Sequence, residues 1–378
     1  MPNSHIEALL ARLATTSDMD VTTYRAISEL LDKARPKAKE TSQQVPYEIA
    51  FFDAKPYDKK AFESQNDGRF VFRYIDAQLN KHTAALARGC TAVCVFVNDE
   101  CDQAVIGELA RLGVQCVALR CAGFNNVDLV ACKALDIQVV RVPAYSPHAV
   151  AEHTVALMLM LNRQLHRAYM RNRSGQFLLD GLVGFDMFNK KVGVVGTGKI
   201  GRCVIEILLG FGCKILAFDP KPSEQFRNQA SVQYTSFESV IAESDILTLH
   251  SPLTPETQHL IDDVSIAKMK QGVMIINTSR GGLVDSKALI KGLKTGHIAF
   301  AGLDVYEEEG GIFFNDMSNQ IMDDDVLARL MTFNNVVITS HQAFLTHEAL
   351  ANIASTTLLN LDEFFLGKRG LHLTNVVS

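Results

Sequence analysis

The chain has 378 residues, 47% hydrophobic and 21% charged, with a net charge of −5 and a pI near 6.1. That length exceeds one ordinary core, so two domains are expected. An acidic balance without a basic tract excludes nucleic acid as the natural partner, and the longest apolar run, residues 155–161, is far too short to span a membrane.

The first 45 residues read as a helical extension of the body. Ile6, Leu9, Leu10 and Leu13 follow i, i+3, i+4, i+7, and Ser4 with Glu7 forms a capping-box pattern. Ile27, Leu30, Leu31 and Ala34 repeat the spacing until Pro36 stops it. Residues 1–40 hold six acidic and six basic side chains, unlike an Arg-rich, acid-poor transit peptide. The expectation is an amphipathic pair packed on the body or on a neighbouring subunit.

From Tyr47 the pattern becomes α/β, with strands expected at 48–52, 92–97, 117–119 and 139–142 and helix-length patterns between them. These make a small first domain over 46–146. All eight cysteines lie before residue 214, and no C-x-x-C occurs. Cys90, Cys94 and Cys101 do not make a metal set, and Cys94 sits in an apolar run as a small core residue would. No metal is expected. Reduced thiols suit an intracellular, cytoplasmic protein.

An apolar helix after Pro147 is placed to bridge into a second domain, 147–341. His148 and His153, five apart, read as helix-start and interface residues. In KKVGVVGTGKIGRCVIEILLGFGCKILAFDP, residues 190–220, an apolar strand runs into Gly196, Gly198 and Gly201, then a helix, then a second strand. The first glycine of G-x-G-x-x-G permits the tight turn, the second lets backbone approach a pyrophosphate, and the third lets helix pack on strand. The helix start offers free N–H groups to the phosphates, with Lys199 and Ile200 in its first turn. The second strand ends in Asp219, 18 residues past Gly201, where an acid meets the adenosine ribose and disfavours a 2′-phosphate. This is a dinucleotide site, and Asp219 favours NAD over NADP.

Ligands of open parallel sheets bind at the carboxyl ends of the strands. Beyond the glycine turn and Asp219, those ends carry His250-Ser251-Pro252, Thr278-Ser279-Arg280, Asp304 followed by Glu307, Glu308 and Glu309, and Ser340-His341. Hydride transfer to a carbonyl needs a cation to hold an anionic substrate, a proton donor, and a group that keeps the donor protonated. Arg280 suits the first because a guanidinium grips a carboxylate bidentately. His341 suits the second. One of the three glutamates supplies the third, since a nearby carboxylate favours imidazolium. His250 reads as a cofactor-side residue. The tail is expected to be helical over 345–361 and to fold back on the first domain.

VVGTGKIG, LHSPLTPET, NTSRGG, GLDVYEEE and SHQAF resemble the D-2-hydroxyacid dehydrogenases. RCAGFNNVD, RVPAYSPHAVAEH, ILAFDP, FFNDMSN and HQAFLTHEAL look like the fermentative NAD-dependent members acting on D-lactate. The match runs from residue 47 nearly to the C-terminus. It implies a Rossmann-type doubly wound parallel sheet (147–341) inserted in a smaller flavodoxin-like substrate domain (46–146 and 342–378). It implies Arg280, Glu309 and His341 as the catalytic set. It implies Ala122 and Gly123 backbone N–H groups on the substrate carboxylate, Tyr145, Phe344 and Phe96 as pocket walls, and Asp304 facing the nicotinamide. Thr257 and Ser251, within LHSPLTPET, fall on the cofactor side. Ser251 stands where relatives carry cysteine, and the first 45 residues have no counterpart. The reaction implied is pyruvate to D-lactate with NADH in a homo-oligomer, dimer or tetramer. The alternatives are a dehydrogenase for bulkier 2-keto acids, formate dehydrogenases, which lack the acidic partner, and nucleotide-sensing corepressors of the same fold.

Overall fold

A computed structural model describes residues 47–226 and 228–377, so the helices expected in residues 1–45 lie outside the described residues. Two parallel sheets organise what is described. The first holds β1 (Tyr47–Phe51), β2 (Phe70–Tyr74), β3 (Ala92–Val95), β4 (Cys116–Leu119) and β5 (Gln138–Val140), in the order β2-β1-β3-β4-β5. This is the flavodoxin-like order, with its switch point between β1 and β3. β2 was not among the expected strands. It is an edge strand in which only Phe70 is buried, so it lacks a continuous apolar run. Three strands end sooner than expected, β1 by one residue and β3 and β5 by two each. Phe96 donates its N–H to Asp99 instead of a neighbouring strand, at 2.6 Å. Arg141 and Val142 turn theirs to Asn375 and Cys121.

The second sheet holds β6 (Lys191–Val195), β7 (Lys214–Phe218), β8 (Val232–Tyr234), β9 (Ile246–Leu249), β10 (Val273–Asn277), β11 (Ile298–Leu303) and β12 (Val336–Ile338), in the order β12-β11-β10-β9-β6-β7-β8. Its direction reverses between β6 and β9, so the crevice opens there at the strands' carboxyl ends. β8, only three residues on the edge, was also not expected.

Three helices place the site. α1 (Pro147–Asn162) starts where Ser146 Oγ accepts from Ala149 N and Pro147 occupies the first turn. It packs Ala151, Val155, Met158 and Leu161 against Val192, Val194, Ile246 and Ile276 of the second sheet. Each fully buried aliphatic side chain contributes about 1.5–3 kcal/mol relative to exposure. α2 (Lys199–Gly210) follows the glycine turn with no side-chain cap, which leaves its first N–H groups for a ligand. α3 (His347–Phe365) is capped by Thr346, so the tail helix starts two residues later than expected and runs four further. Its Ile353, Ala354, Leu358, Leu361 and Phe364 join the core of the first sheet. Among the described residues no helix is long and apolar enough to cross a membrane, and no group of His, Cys, Asp or Glu could hold a metal ion.

Candidate active site

The glycine turn has the shape a dinucleotide needs. Gly196 has φ +94°, and a Cβ there would stand 2.7 Å from the His250 carbonyl. A Cβ on Gly201 would fall 2.0 Å from Gly196 O, so helix and strand meet only with glycine. Around Gly198 nothing lies within 4 Å, which leaves backbone open for a phosphate. Asp219 Oδ2 accepts from Thr197 N at 2.6 Å and from Thr197 Oγ1 at 3.1 Å, while Oδ1 accepts from Lys221 N. The acid therefore braces the turn it faces. Lys199 and Ile200 border a crevice completed by Ala122, Pro143, Tyr145 and Pro147, so the glycine turn looks onto loops of the first sheet.

The neighbouring loops are stapled to that crevice. His250 N donates to Val195 O at 2.7 Å, and its ring stands 3.0 Å from Thr248 Oγ1. Burial pushes the His250 pKa down to about 3, so its ring is neutral near pH 7 and lacks the imidazolium proton a general acid would give. Ser251 Oγ donates to Val195 O, and Thr257 Oγ1 donates to Pro252 O. Thr278 Oγ1 lies 2.8 Å from Thr154 Oγ1 of α1, and Ser279 Oγ donates to Ser251 O.

Arg280 follows β10 and is fixed by its neighbours. Asn277 Nδ2 donates to Arg280 O at 2.9 Å, while Asn277 Oδ1 accepts from Ser279 N. A Cβ on Gly281 would stand 2.1 Å from Tyr306 backbone, so glycine lets the Glu309 loop close on the Arg280 turn. The guanidinium crosses to the first sheet, where a Cβ on Gly123 would meet its Nη2 at 2.6 Å. Arg141 Nη1 holds the same loop through Ala122 O. Neither the Ala122 nor the Gly123 N–H donates a hydrogen bond within the described residues, so both remain available beside a cation.

His341 lies after β12 with φ +52°, an uncommon conformation for a residue other than glycine. Asp304 over-determines it. Its backbone O accepts from His341 N at 2.7 Å, and its carboxylate accepts from Thr339 Oγ1, Gln342 N and Ala343 N. Asp304 is only 1% exposed, so its carboxylate serves the 339–343 turn and presents little surface to a cofactor. His153, expected to be an interface residue, reaches this network through Nε2, 3.0 Å from Thr339 Oγ1 and 3.4 Å from Asp304. Its five-residue spacing from His148 gave no hint of that partner.

The ambiguity among the three glutamates ends in the geometry. Glu309 Oε1 stands 2.6 Å from His341 Nδ1, and Oε2 accepts from Tyr306 N. Glu307 pairs with His259 and Ser286, and Glu308 is exposed. Because Nδ1 faces a carboxylate it carries a proton, and Nε2 is left for the cleft. The cleft joins His341 and Arg280 to Ala122, Gly123, Tyr145, Phe96 and Phe344 in a cavity of about 20 Å³, roughly one water. Phe344 packs on Phe96 and Tyr145 with centroids at 5.8 and 6.2 Å. Burial pushes the Tyr145 hydroxyl pKa up to about 12 despite the nearby Arg280, so it stays neutral.

Residues 155–343 match the family model of the D-isomer specific 2-hydroxyacid dehydrogenase NAD binding domain. A 2-hydroxyacid dehydrogenase homolog of Haemophilus influenzae is 52% identical over 325 residues, covering 85% of this chain and 97% of that protein. The D-lactate dehydrogenase of Escherichia coli K12 is 50% identical over 321 residues, with the same two coverages. Among solved structures, one described as the pyruvate reductase of Chlamydomonas reinhardtii superposes with a TM-score of 0.82 at 46% identity, covering 87% of this chain and 98% of that one.

Proposed function

This chain belongs to the D-2-hydroxyacid dehydrogenase family, NAD-dependent oxidoreductases acting on the CH–OH group, and from that premise we propose that it interconverts pyruvate and D-lactate. The observation that carries this reading is the small cleft in which an arginine, a histidine–carboxylate pair and two free N–H groups meet three aromatic walls. Such walls fit a methyl group and leave little room for more.

Bound NADH supplies the hydride that the C2 carbonyl carbon accepts. Arg280 grips the pyruvate carboxylate with the Ala122 and Gly123 N–H groups and polarises the carbonyl. To do so its Nη1 leaves the Ser279 carbonyl it now donates to, at 2.7 Å. His341 Nε2 passes its proton to the carbonyl oxygen as the C2–H bond forms, and takes it back from D-lactate in reverse. Glu309 orients the ring through Nδ1. Asp304, Thr339 and His153 hold His341 in place and touch no reacting atom.

Residues 147–341 serve the cofactor, and residues 46–146 with 342–378 serve the substrate. A homo-oligomer, dimer or tetramer, is supported by the exposed Tyr169, Met170, Phe177, Leu179, Val183 and Phe188 within 20 residues of chain. Eight free thiols support the cytoplasm. The test is NADH oxidation with pyruvate followed by chiral separation of the lactate. Turnover confined to bulkier 2-keto acids, or an L product, would overturn the reading.

A further inference from the structure

Phe314 lies five residues past Glu309 in the same loop, and its ring has no part in the chemistry assigned above. Its φ is +67°, and a bulky aromatic in the left-handed region marks a backbone held against its preference. Its neighbours show what that conformation achieves. The ring sits 6.0 Å from the His341 ring and 5.4 Å from the Phe96 ring, both of which line the small cleft. On its other side Phe314 lines a separate cavity of about 370 Å³ with Phe313, Met322, Met331, Ile338 and Ser340. The ring packs against the cores of both sheets at once. It therefore stands as a partition between a cleft of about 20 Å³ and an apolar space many times larger.

We propose that Phe314 is the specificity-determining residue that restricts this enzyme to 2-keto acids with a methyl-sized side chain, by closing the cleft off from the larger apolar cavity. This inference rests on the reaction proposed above. The other two phenylalanines are less able to play this part. Phe96 is stacked on the buried Arg120 at 4.7 Å, and Phe344 is boxed by Tyr57, Phe96 and Tyr145, so both are fixed in the first core. Phe314 is only partly buried and is carried by a loop. A substrate carbonyl placed between Arg280 and His341 puts its C3 substituent near the His341 ring. Any group much longer than methyl there meets Phe96 or Phe314, and behind Phe314 lies the larger apolar room.

The test compares kcat/KM for pyruvate and phenylpyruvate in the wild type, Phe314→Leu, Phe314→Gly, and Phe314→Gly combined with Met331→Trp. Glycine removes the ring and accepts φ +67° without strain. A single methylene in an apolar pocket is worth about 10- to 200-fold in discrimination. The phenylpyruvate-to-pyruvate ratio is thus expected to rise at least about tenfold in Phe314→Gly and by less in Phe314→Leu. Met331 lines the far cavity and not the cleft, so tryptophan there should refill the space and cancel the gain. If the wild type reduces pyruvate and a folded Phe314→Gly leaves the ratio within about threefold, the inference fails alone, as it does if the tryptophan leaves the gain intact. A wild type inactive on every 2-keto acid sinks the proposed reaction, and this inference with it.

Discussion

Each sheet has a switch point where its strand order reverses, and the carboxyl edges of the two have opposite contents. At the second sheet, Gly196, Gly198 and Gly201 leave the crevice open to a ligand. At the first, side chains fill the corresponding place. Arg120, 0% exposed, lies between Phe51 and Phe96 with its guanidinium carbon 4.4 and 4.7 Å from their centroids. Its Nη2 donates to Asp53 O and stands 3.5 Å from Asp58. Asp99 takes the N–H groups of Leu79 and Phe96, and burial pushes its pKa up to about 6 against the pull of Arg120. Topology makes a crevice in both sheets, but side-chain volume decides how much of each stays open, and at the first only the small cleft beside Ala122 and Gly123 remains. Both edges also pair a cation with carboxylates. The His341–Glu309 pair keeps 17% and 18% of its side-chain surface, whereas Arg120, behind the wall of the cleft, is 0% exposed.

The contrast predicts that losing the exposed pair abolishes chemistry and losing the sealed one abolishes stability. His341→Gln should lower kcat by roughly 10²–10⁴-fold, the usual worth of general acid catalysis, with NADH binding and melting temperature nearly unchanged. A drop below about tenfold removes His341 from the role of proton donor. Arg120→Leu should destabilise by about 3–5 kcal/mol in denaturant unfolding, because Asp58 and Asp99 lose their buried counter-charge and the Asp53 carbonyl loses its donor. A folded Arg120→Leu of wild-type stability but lost activity would break the contrast and make Arg120 part of the cleft chemistry. Glu309→Gln should be milder than either. The amide oxygen is a weaker acceptor than the carboxylate, so the His341 ring is held less firmly through Nδ1 and kcat for pyruvate should fall by less than in His341→Gln, with NADH binding unchanged. A wild-type kcat would remove Glu309 from the positioning of His341.

These regions were unequally legible in the sequence. Glycines, Arg280 and His341 were readable because each follows an apolar strand, and strand ends are where such sheets bind ligands. Strand-end position left the choice among Glu307, Glu308 and Glu309 open, and only the family resemblance pointed to Glu309. The choice depends on His341 turning through φ +52° and on Gly281 admitting the backbone of Tyr306, both tertiary facts. Arg120 was hidden because arginine is ordinarily a surface residue, and only the rings around it make it a core one. Phe314 was hidden because an aromatic in a polar loop has no periodicity to betray its partners. β2 and β8 escaped as edge strands, short or half-exposed, where pattern is weakest.

The smallest effect belongs to Asp219, the carboxylate at the mouth of the open crevice. Its charge disfavours a 2′-phosphate, so NADH should be preferred over NADPH, and Asp219→Ala should narrow the gap. The same side chain also braces the glycine turn through Thr197 N and Oγ1 and holds Lys221 N. Alanine therefore removes two functions at once, loosening the turn for either cofactor while lifting repulsion for one. Asp219→Asn separates them, since the amide oxygen still accepts from Thr197 but carries no charge. If repulsion governs selection, both variants narrow the NADH-to-NADPH ratio of kcat/KM, and only alanine also raises the KM for NADH substantially. If bracing governs, asparagine leaves the ratio unchanged. Selection would then be a property of the turn's shape, as the glycines are, and charge would matter at neither switch point for ligand choice.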